Sequence, residues 1–312
     1  MNRDELCKLI VGIVTTVPTP FDAQFEVDYG RMAELTQFWV ESGLVAGKAV
    51  IKVAAAMGEG GMLEDAEWAN LLRTTVQAAK GKAAIAAGIH HKDTRRAIKD
   101  ARLAEDLGAV AVQVSPPVFS WPTAGDLLRH FEAISDAIGI GVIIYNNWWW
   151  PGGNVSVDTF LKMADFEHIV AIKWSVQDES KYDEMARLTP YFNVIDNQSR
   201  PARCHQLGGR GYINRTAHAY PPHDLRIWEL LEARRYDEAQ RLYDSIDVPT
   251  WQFYERLALE SGGEARMIKG MMEIMGHPCG ASRPPTLPMS RAQMAELRQI
   301  LIAGGWPVPP AR

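Results

Sequence analysis

Short apolar runs and amphipathic stretches alternate along most of the chain. The apolar runs fall at residues 10–15, 49–54, 83–88, 109–114, 141–145, 169–173, 192–196 and 211–214, and most are rich in Val, Ile and Ala. Such runs suit parallel strands buried on both faces, which need no polar alternation. Between them lie stretches with apolar residues at helical spacing: 31–42 with Met32, Leu35, Phe38 and Trp39, then 65–79, 94–107, 126–137 and 158–164. Gly43, Gly81, Gly108 and Gly139 follow these stretches and suit the position just past a helix C-terminus. Strand and helix recur roughly every 30 residues, the size of a βαβ unit. Eight such units predict an α/β fold closed as a (β/α)8 TIM barrel. An open, doubly wound sheet is the competing arrangement, but no GxGxxG follows the first run. The strand signal ends near residue 225, and 236–261, 264–275 and 290–303 read as helices. The expected organisation is therefore a barrel over 1–225 and a C-terminal helical extension over 226–312, packed as one unit. A Pro-rich stretch, 278–288, precedes the last helix.

Composition narrows the picture without changing it. The chain has 312 residues, 47% hydrophobic and 23% charged, which is enough to bury one large core without disulfides or metals. A formal charge of −5 gives no basic footprint, so nucleic acid is not an expected partner. Cys7, Cys204 and Cys279 are far apart and form no CxxC pair, so neither a disulfide framework nor a zinc site is expected. No apolar run reaches the ~20 residues that span a bilayer, and the polar first residues do not form a signal peptide. A cytoplasmic setting with no membrane partner is the expectation.

Candidate chemistry lies at the C-terminal ends of the strands, where barrels of this kind place their sites. The sixth run ends Ile172-Lys173-Trp174. A lysine at the end of a buried strand loses hydration, which disfavours its charged form. The neutral amine attacks ketones, and the resulting imine is an electron sink. The competing reading is a lysine that snorkels to water or pairs with a carboxylate. The fifth run ends Tyr145-Asn146-Asn147, and a tyrosine beside such an amine can move protons; the competing reading is a core tyrosine with a satisfied hydroxyl.

Taken together, Tyr145-Asn146 and Ile172-Lys173 resemble the "YN" and "IK" motifs of the dihydrodipicolinate synthase and N-acetylneuraminate lyase family, and their separation matches that family. The resemblance covers most of the chain. Residues 15–21 (TTVPTPF) are similar to its opening strand, Gly58-Glu59 to the end of its "GTTGE" motif, and 207–213 (LGGRGYI) to its glycine-rich entry to the eighth strand. Lys269 and Arg283-Pro284-Pro285 resemble its C-terminal helical signature. The resemblance implies a Schiff-base lyase with Lys173 as the imine lysine and Tyr145 as its proton partner. It implies a 2-keto acid of the pyruvate type as substrate and no cofactor, because the lysine supplies the electron sink. It also implies a homo-oligomer, a dimer or a tetramer, with Phe119 at the interdigitating position.

The departures carry as much information. "GTTGE" reads Ala55-Ala56-Met57-Gly58-Glu59, so the two hydroxyls that hold the carboxylate in the family are absent. "PYY" reads Pro117-Val118-Phe119, and the arginine expected after the motif tyrosine is Trp150. These losses argue against the dihydrodipicolinate synthase reaction itself. Trp148-Trp149-Trp150 offer instead a wall for an apolar or aromatic partner, or a subunit contact. Trp121 and Trp174 are expected nearby. Ala56, Met57 and Gly58 are the expected substrate loop, with the backbone amides of Met57, Gly58 and Glu59 as an anion nest and Asn146 or Asn147 assisting. Asn147, Trp150, Asp196 and Ile213 complete the expected contacts; Asp196 competes with a plain turn. Arg215 and His218 follow on the last loop with open roles. His90 and His91 precede Asp93, which suits a helix cap better than a metal site. Two alternatives stand beside the lyase: a family member that has lost catalysis and binds small molecules, and a metal-dependent hydrolase built on His90 and His91.

Overall fold

The apolar runs become eight parallel strands that close in sequence order, β1 to β8, into one barrel. The structure, a computed structural model, describes residues 1–90, 92–117, 121–150 and 152–310. The strands are β1 (Gly12–Thr16), β2 (Ala49–Val53), β3 (Ala84–Ile89), β4 (Ala111–Val114), β5 (Gly141–Tyr145), β6 (Ile169–Trp174), β7 (Asn193–Asp196) and β8 (Gly211–Asn214). Every residue of these strands is buried, which is why the sequence shows unbroken apolar runs. Each fully buried Val or Ile contributes about 1.5–3 kcal/mol of burial free energy.

Around the barrel run α2 (Tyr29–Glu41), α3 (Asp65–Ala79), α4 (Thr94–Asp106), α5 (Ala124–Ala137), α6 (Val157–Leu161), a 3-10 segment (Glu179–Arg187), α7 (Pro201–Gln206) and α8 (Pro221–Glu232). Asp93 caps α4 as expected, accepting from the amides of Arg95 and Arg96. Gly43, Gly81 and Gly108 take the left-handed conformation expected past a helix, at φ of 100°, 72° and 90°. Gly139 does not; α5 ends instead in an extended Ile138, and the Gly139 amide donates to Glu105 Oε1 at 2.9 Å.

Three α-helices escaped the sequence pattern. A helix α1 (Arg3–Leu9), closed by a capping box between Asn2 and Glu5, precedes the first strand. It lies against the N-terminal side of the barrel: Asn193 Nδ2 donates to the carbonyls of Cys7 and Ile10, and Arg3 donates to those of Phe166 and Tyr191. The short α7 opens on Pro201, and α8 opens on Pro221-Pro222, residues that read as breakers but fit the first helical turn. Because α8 runs to Glu232, it straddles the expected 225/226 boundary.

The extension consists of α9 (Tyr236–Ala258), α10 (Ala265–Ile274) and α11 (Arg291–Ala303). Its seam with the barrel carries ion pairs beside a shared apolar core. Lys269 meets Glu59 at 2.6 Å, both side chains buried, and Lys269 Nζ also donates to the Ala281 carbonyl. Arg283 makes two hydrogen bonds to the Glu67 carboxylate, at 2.7 and 2.5 Å, and donates to the carbonyls of Phe25 and Met62. The Phe21 ring is covered by both cations, Lys269 Nζ at 4.3 Å and the Arg283 guanidinium at 4.5 Å. Among the described residues, no helix is long and apolar enough to cross a membrane.

Candidate functional site

Strand pairing decides which side chains point into the barrel. Residues paired in register share a face, and successive residues alternate. Tyr145 pairs with Lys173, Lys173 with Ile195, and Thr16 with Lys52. A cavity of about 650 Å³ opens on this face, and Thr16, Lys52, Gln113, Tyr145, Lys173 and Ile213 all line it.

Lys173 is 5% exposed and no carboxylate among the described residues lies within ion-pair distance of it. Its Nζ sits over the Tyr145 ring, 3.7 Å from the centroid. Burial pulls its pKa from 10.5 down to about 7; the charge of Glu264 opposes that shift and Arg215 adds to it. Burial also pushes the Tyr145 phenol up, with Glu264 adding to the effect, so the hydroxyl keeps its proton. The Tyr145 ring is in turn packed against His90, at 5.4 Å, and the edge of Trp150, at 5.1 Å.

The loop after β2 is tightly wound. Ala54 and Glu59 adopt φ of 51° and 59°, and a Cβ on Gly60 would meet the Ala54 carbonyl at 1.8 Å. The loop turns Ala56 and Met57 to the cavity. Gly58 and Glu59 do not serve the expected nest: their amides donate to the carbonyls of Ala55 and Ala56. Gly58 is buried behind the cavity wall, its own carbonyl accepting from Thr19 Oγ1 at 2.7 Å.

The tryptophan run divides its labour. Trp148 and Trp149 line the mouth, edge to face at 5.3 Å, while Trp150 backs Tyr145 and is not part of the wall. Asn146 joins the ends of β5 and β6, donating to the Ser175 carbonyl at 2.9 Å and accepting from the Val155 amide at 2.8 Å. Asn147 is fully buried off the cavity, its side-chain amide without a partner among the described residues. Trp174 is core, donating to the Tyr182 carbonyl, and Trp121 is 72% exposed outside the cavity.

Asp196 requires correction. It pairs with Trp174, one residue past Lys173, so it lies on the opposite face of the sheet. Its carboxylate accepts from the Tyr182 hydroxyl at 2.7 Å and from the amides of Gln198 and Arg200. Burial raises its pKa to about 6 against those donors. The turn reading was the right one. Ile213 does line the cavity, and so does Arg215, whose guanidinium is held by Asp247 at 2.5 Å and lies 4.5 Å from the Trp251 ring. His218 is buried elsewhere, its imidazole pushed down to about 3 by desolvation. His90 contacts Gln113, Nε2 to Nε2 at 3.0 Å. His91, Val118 and Phe119 lie outside the described residues. Among the described residues no three His, Cys, Asp or Glu side chains converge to hold a metal.

Lys52, Gln113, Glu264 and Trp251 are among the lining residues absent from the expected site. Lys52 and Gln113 sit inside apolar runs, AVIKV and AVQV, where a polar residue is the same anomaly that exposed Lys173. Neither residue ends its run, where the functional edge of a barrel is expected. Glu264 and Trp251 arrive from the C-terminal helices and have no local signal. The outer wall joins indoles to acids: Trp148, Trp149 and Trp251 with Glu179, Glu255 and Glu264.

The profile of the Dihydrodipicolinate synthetase family matches residues 9–303. The 4-hydroxy-tetrahydrodipicolinate synthase of Heliobacterium modesticaldum is 26% identical over 295 residues, 94% of this chain and 95% of the relative. That of Fervidobacterium nodosum is 33% identical over 216 residues, 68% and 72% of the two chains. Among solved structures, a putative dihydrodipicolinate synthetase from Pseudomonas aeruginosa superposes with a TM-score of 0.84 at 21% identity, covering 95% of this chain and 99% of that one. A dihydrodipicolinate synthase from Acinetobacter baumannii gives 0.83 at 24% identity, with the same two coverages.

Proposed function

Because the chain belongs to the dihydrodipicolinate synthetase family and is an aldolase-type lyase by that membership, we propose that Lys173 captures the ketone of a small 2-keto acid as an imine and that Tyr145 moves the protons. The observation that carries this reading is the Lys173 amine itself: buried, with no carboxylate among the described residues within ion-pair distance, and drawn down to about 7. At neutral pH a sizeable fraction of it is uncharged and nucleophilic.

The neutral Nζ adds to C2 of the keto acid and gives a carbinolamine. The Tyr145 hydroxyl protonates the departing oxygen, water leaves, and an iminium forms. Loss of a proton from C3, or of an aldehyde in the retro-aldol direction, delivers the electron pair to the iminium as an enamine. Protonation at C3, or addition of C3 to an aldehyde, reverses that step, and water then releases the product from Lys173. Elimination of a β-hydroxyl follows from the same enamine, so both aldol and dehydration chemistry are open to the site. The partner group is taken to lie against Trp148, Trp149 and Trp251, which suits an aromatic or apolar substituent. A second carboxylate there would face Glu179, Glu255 and Glu264, with Arg215 already engaged by Asp247.

The test is borohydride reduction in the presence of pyruvate, followed by intact mass and peptide mapping. A reduced adduct on Lys173, absent from Lys173→Arg, is the expected result. Failure to trap any of a panel of 2-keto acids on Lys173 removes the proposal.

A further inference from the structure

Lys52 is the second amine of the cavity, and nothing in the reaction outlined above uses it. Its side chain is fully buried, and β2 directs it to the same interior as Lys173. Its Nζ donates to Gln113 Oε1 at 2.5 Å, and Gln113 is itself braced by His90. An ammonium has three donors, and Gln113 takes one. Among the described residues no carboxylate lies within ion-pair distance of Lys52, unlike the buried Lys269, which has Glu59. Burial and the neighbouring Lys173 charge hold the Lys52 pKa well below its ordinary value. Among the described residues, no anion therefore lies within ion-pair distance of either amine of the cavity floor.

A 2-keto acid supplies a negative charge on the atom next to the reacting carbonyl. Three other candidates for holding it are weak. The loop at Ala56-Met57 has no hydroxyl, the amides of Gly58 and Glu59 are spent within their own turn, and Arg215 is held by Asp247. We propose that Lys52, positioned by Gln113, is the anchor for the substrate's C1 carboxylate and so makes the site select 2-keto acids over neutral ketones. The inference rests on the reading of Lys173 as the imine-forming residue.

Two measurements separate the anchor from that reading. In the first, borohydride trapping is titrated with pyruvate and with its neutral isostere pyruvamide. Lys52→Met is expected to raise the half-saturating pyruvate concentration about 10–100-fold, the worth of one charge-assisted hydrogen bond, and to change that for pyruvamide by less than about threefold. Gln113→Leu keeps the amine and removes its brace, and a pyruvate-only rise of about 3–10-fold is expected. In the second, pyruvate binding is measured by calorimetry on Lys173→Met, which forms no imine, with and without Lys52→Met. Equal affinity of the two chains overturns the anchor whatever the trapping shows. Lys52-dependent binding together with failed trapping overturns the imine reading alone. A reduced adduct mapped to Lys52 overturns both.

Discussion

Two groups of cations withdrawn from bulk water, the buried Lys269 with the half-buried Arg283 and the buried pair Lys52 and Lys173, sit at the same end of this barrel and are treated in opposite ways. At the seam with the C-terminal helices, Lys269 is matched by Glu59 and Arg283 by Glu67, and both cover the Phe21 ring. On the cavity floor, no carboxylate among the described residues lies within ion-pair distance of Lys52 or Lys173, and the charge of Glu264 reaches Lys173 only from further off. Taking an amine out of water costs several kcal/mol, and a matched carboxylate offsets part of it. At the seam Glu59 opposes the cost of burying Lys269, while the floor carries that cost without an ion-pair partner. An unbalanced cost in a cavity is the mark of a group kept for chemistry, since a methionine of similar length would fill the same space at less expense.

Lys173→Met is the largest test of that contrast. Exchange of the pyruvate methyl protons with deuterium, followed by NMR, should fall by more than about a thousandfold, because the enamine cannot form. The melting temperature should rise or hold. The sign follows from the lysine's two states: its folded pKa is about 7 and its unfolded value is the ordinary 10.5. Between those values the unfolded chain binds more protons, so the native state gains stability as pH rises through that window. The advantage of Lys173→Met over the natural chain should therefore be greatest at and below pH 7 and fade toward 10.5. A variant that melts several degrees lower at pH 7 would mean that Lys173 is a structural cation like Lys269.

Lys269→Met is expected to do the reverse. It strands Glu59 in a buried site and should cost about 3–5 kcal/mol in a denaturant melt. The double change with Glu59→Leu should recover most of that loss, and the pair's coupling is read from the cycle. Trapping of pyruvate on Lys173 should survive under conditions where the variant remains folded. Loss of trapping in a folded variant would place the seam inside the catalytic machinery.

The sequence pattern reached the floor of the cavity only in part, for a physical reason. Strand ends were legible as the edge of a barrel that opens on its cavity, and Tyr145, Lys173 and Ile213, read from there, all line that cavity. Facing was not, because each residue of a doubly buried strand is apolar on both sides and period-two alternation is lost. Asp196 was read inward although it shares the outward face with Trp174, and Lys52 went unnoticed two residues before its run ended. Parity counted from Lys173 along the paired strands would have corrected both. The Pro221-Pro222 pair hid α8, and Glu264 reaches the cavity from the start of a helix far downstream, where no local pattern points to it.

The smallest expected effect lies at the mouth, where an aromatic ring is placed unlike the one at the seam. Phe21 is buried under two cations, whereas Trp149 is 48% exposed at the edge of the cavity. A ring left half in water contributes little to folding, so Trp149→Ala should change stability by no more than about 0.5 kcal/mol. Its open face is useful only when a substrate covers it, and an aromatic contact of that kind is worth about 0.5–1.5 kcal/mol. Half-saturation for borohydride trapping should therefore rise about 2–12-fold for phenylpyruvate and stay constant for pyruvate, which does not reach the mouth. A matched rise for both keto acids would tie Trp149 to the floor rather than to the partner group. No rise for either would leave Trp148 and Trp251 as the only indoles available to such a substrate, and the proposed aromatic preference would then have to survive Trp251→Ala.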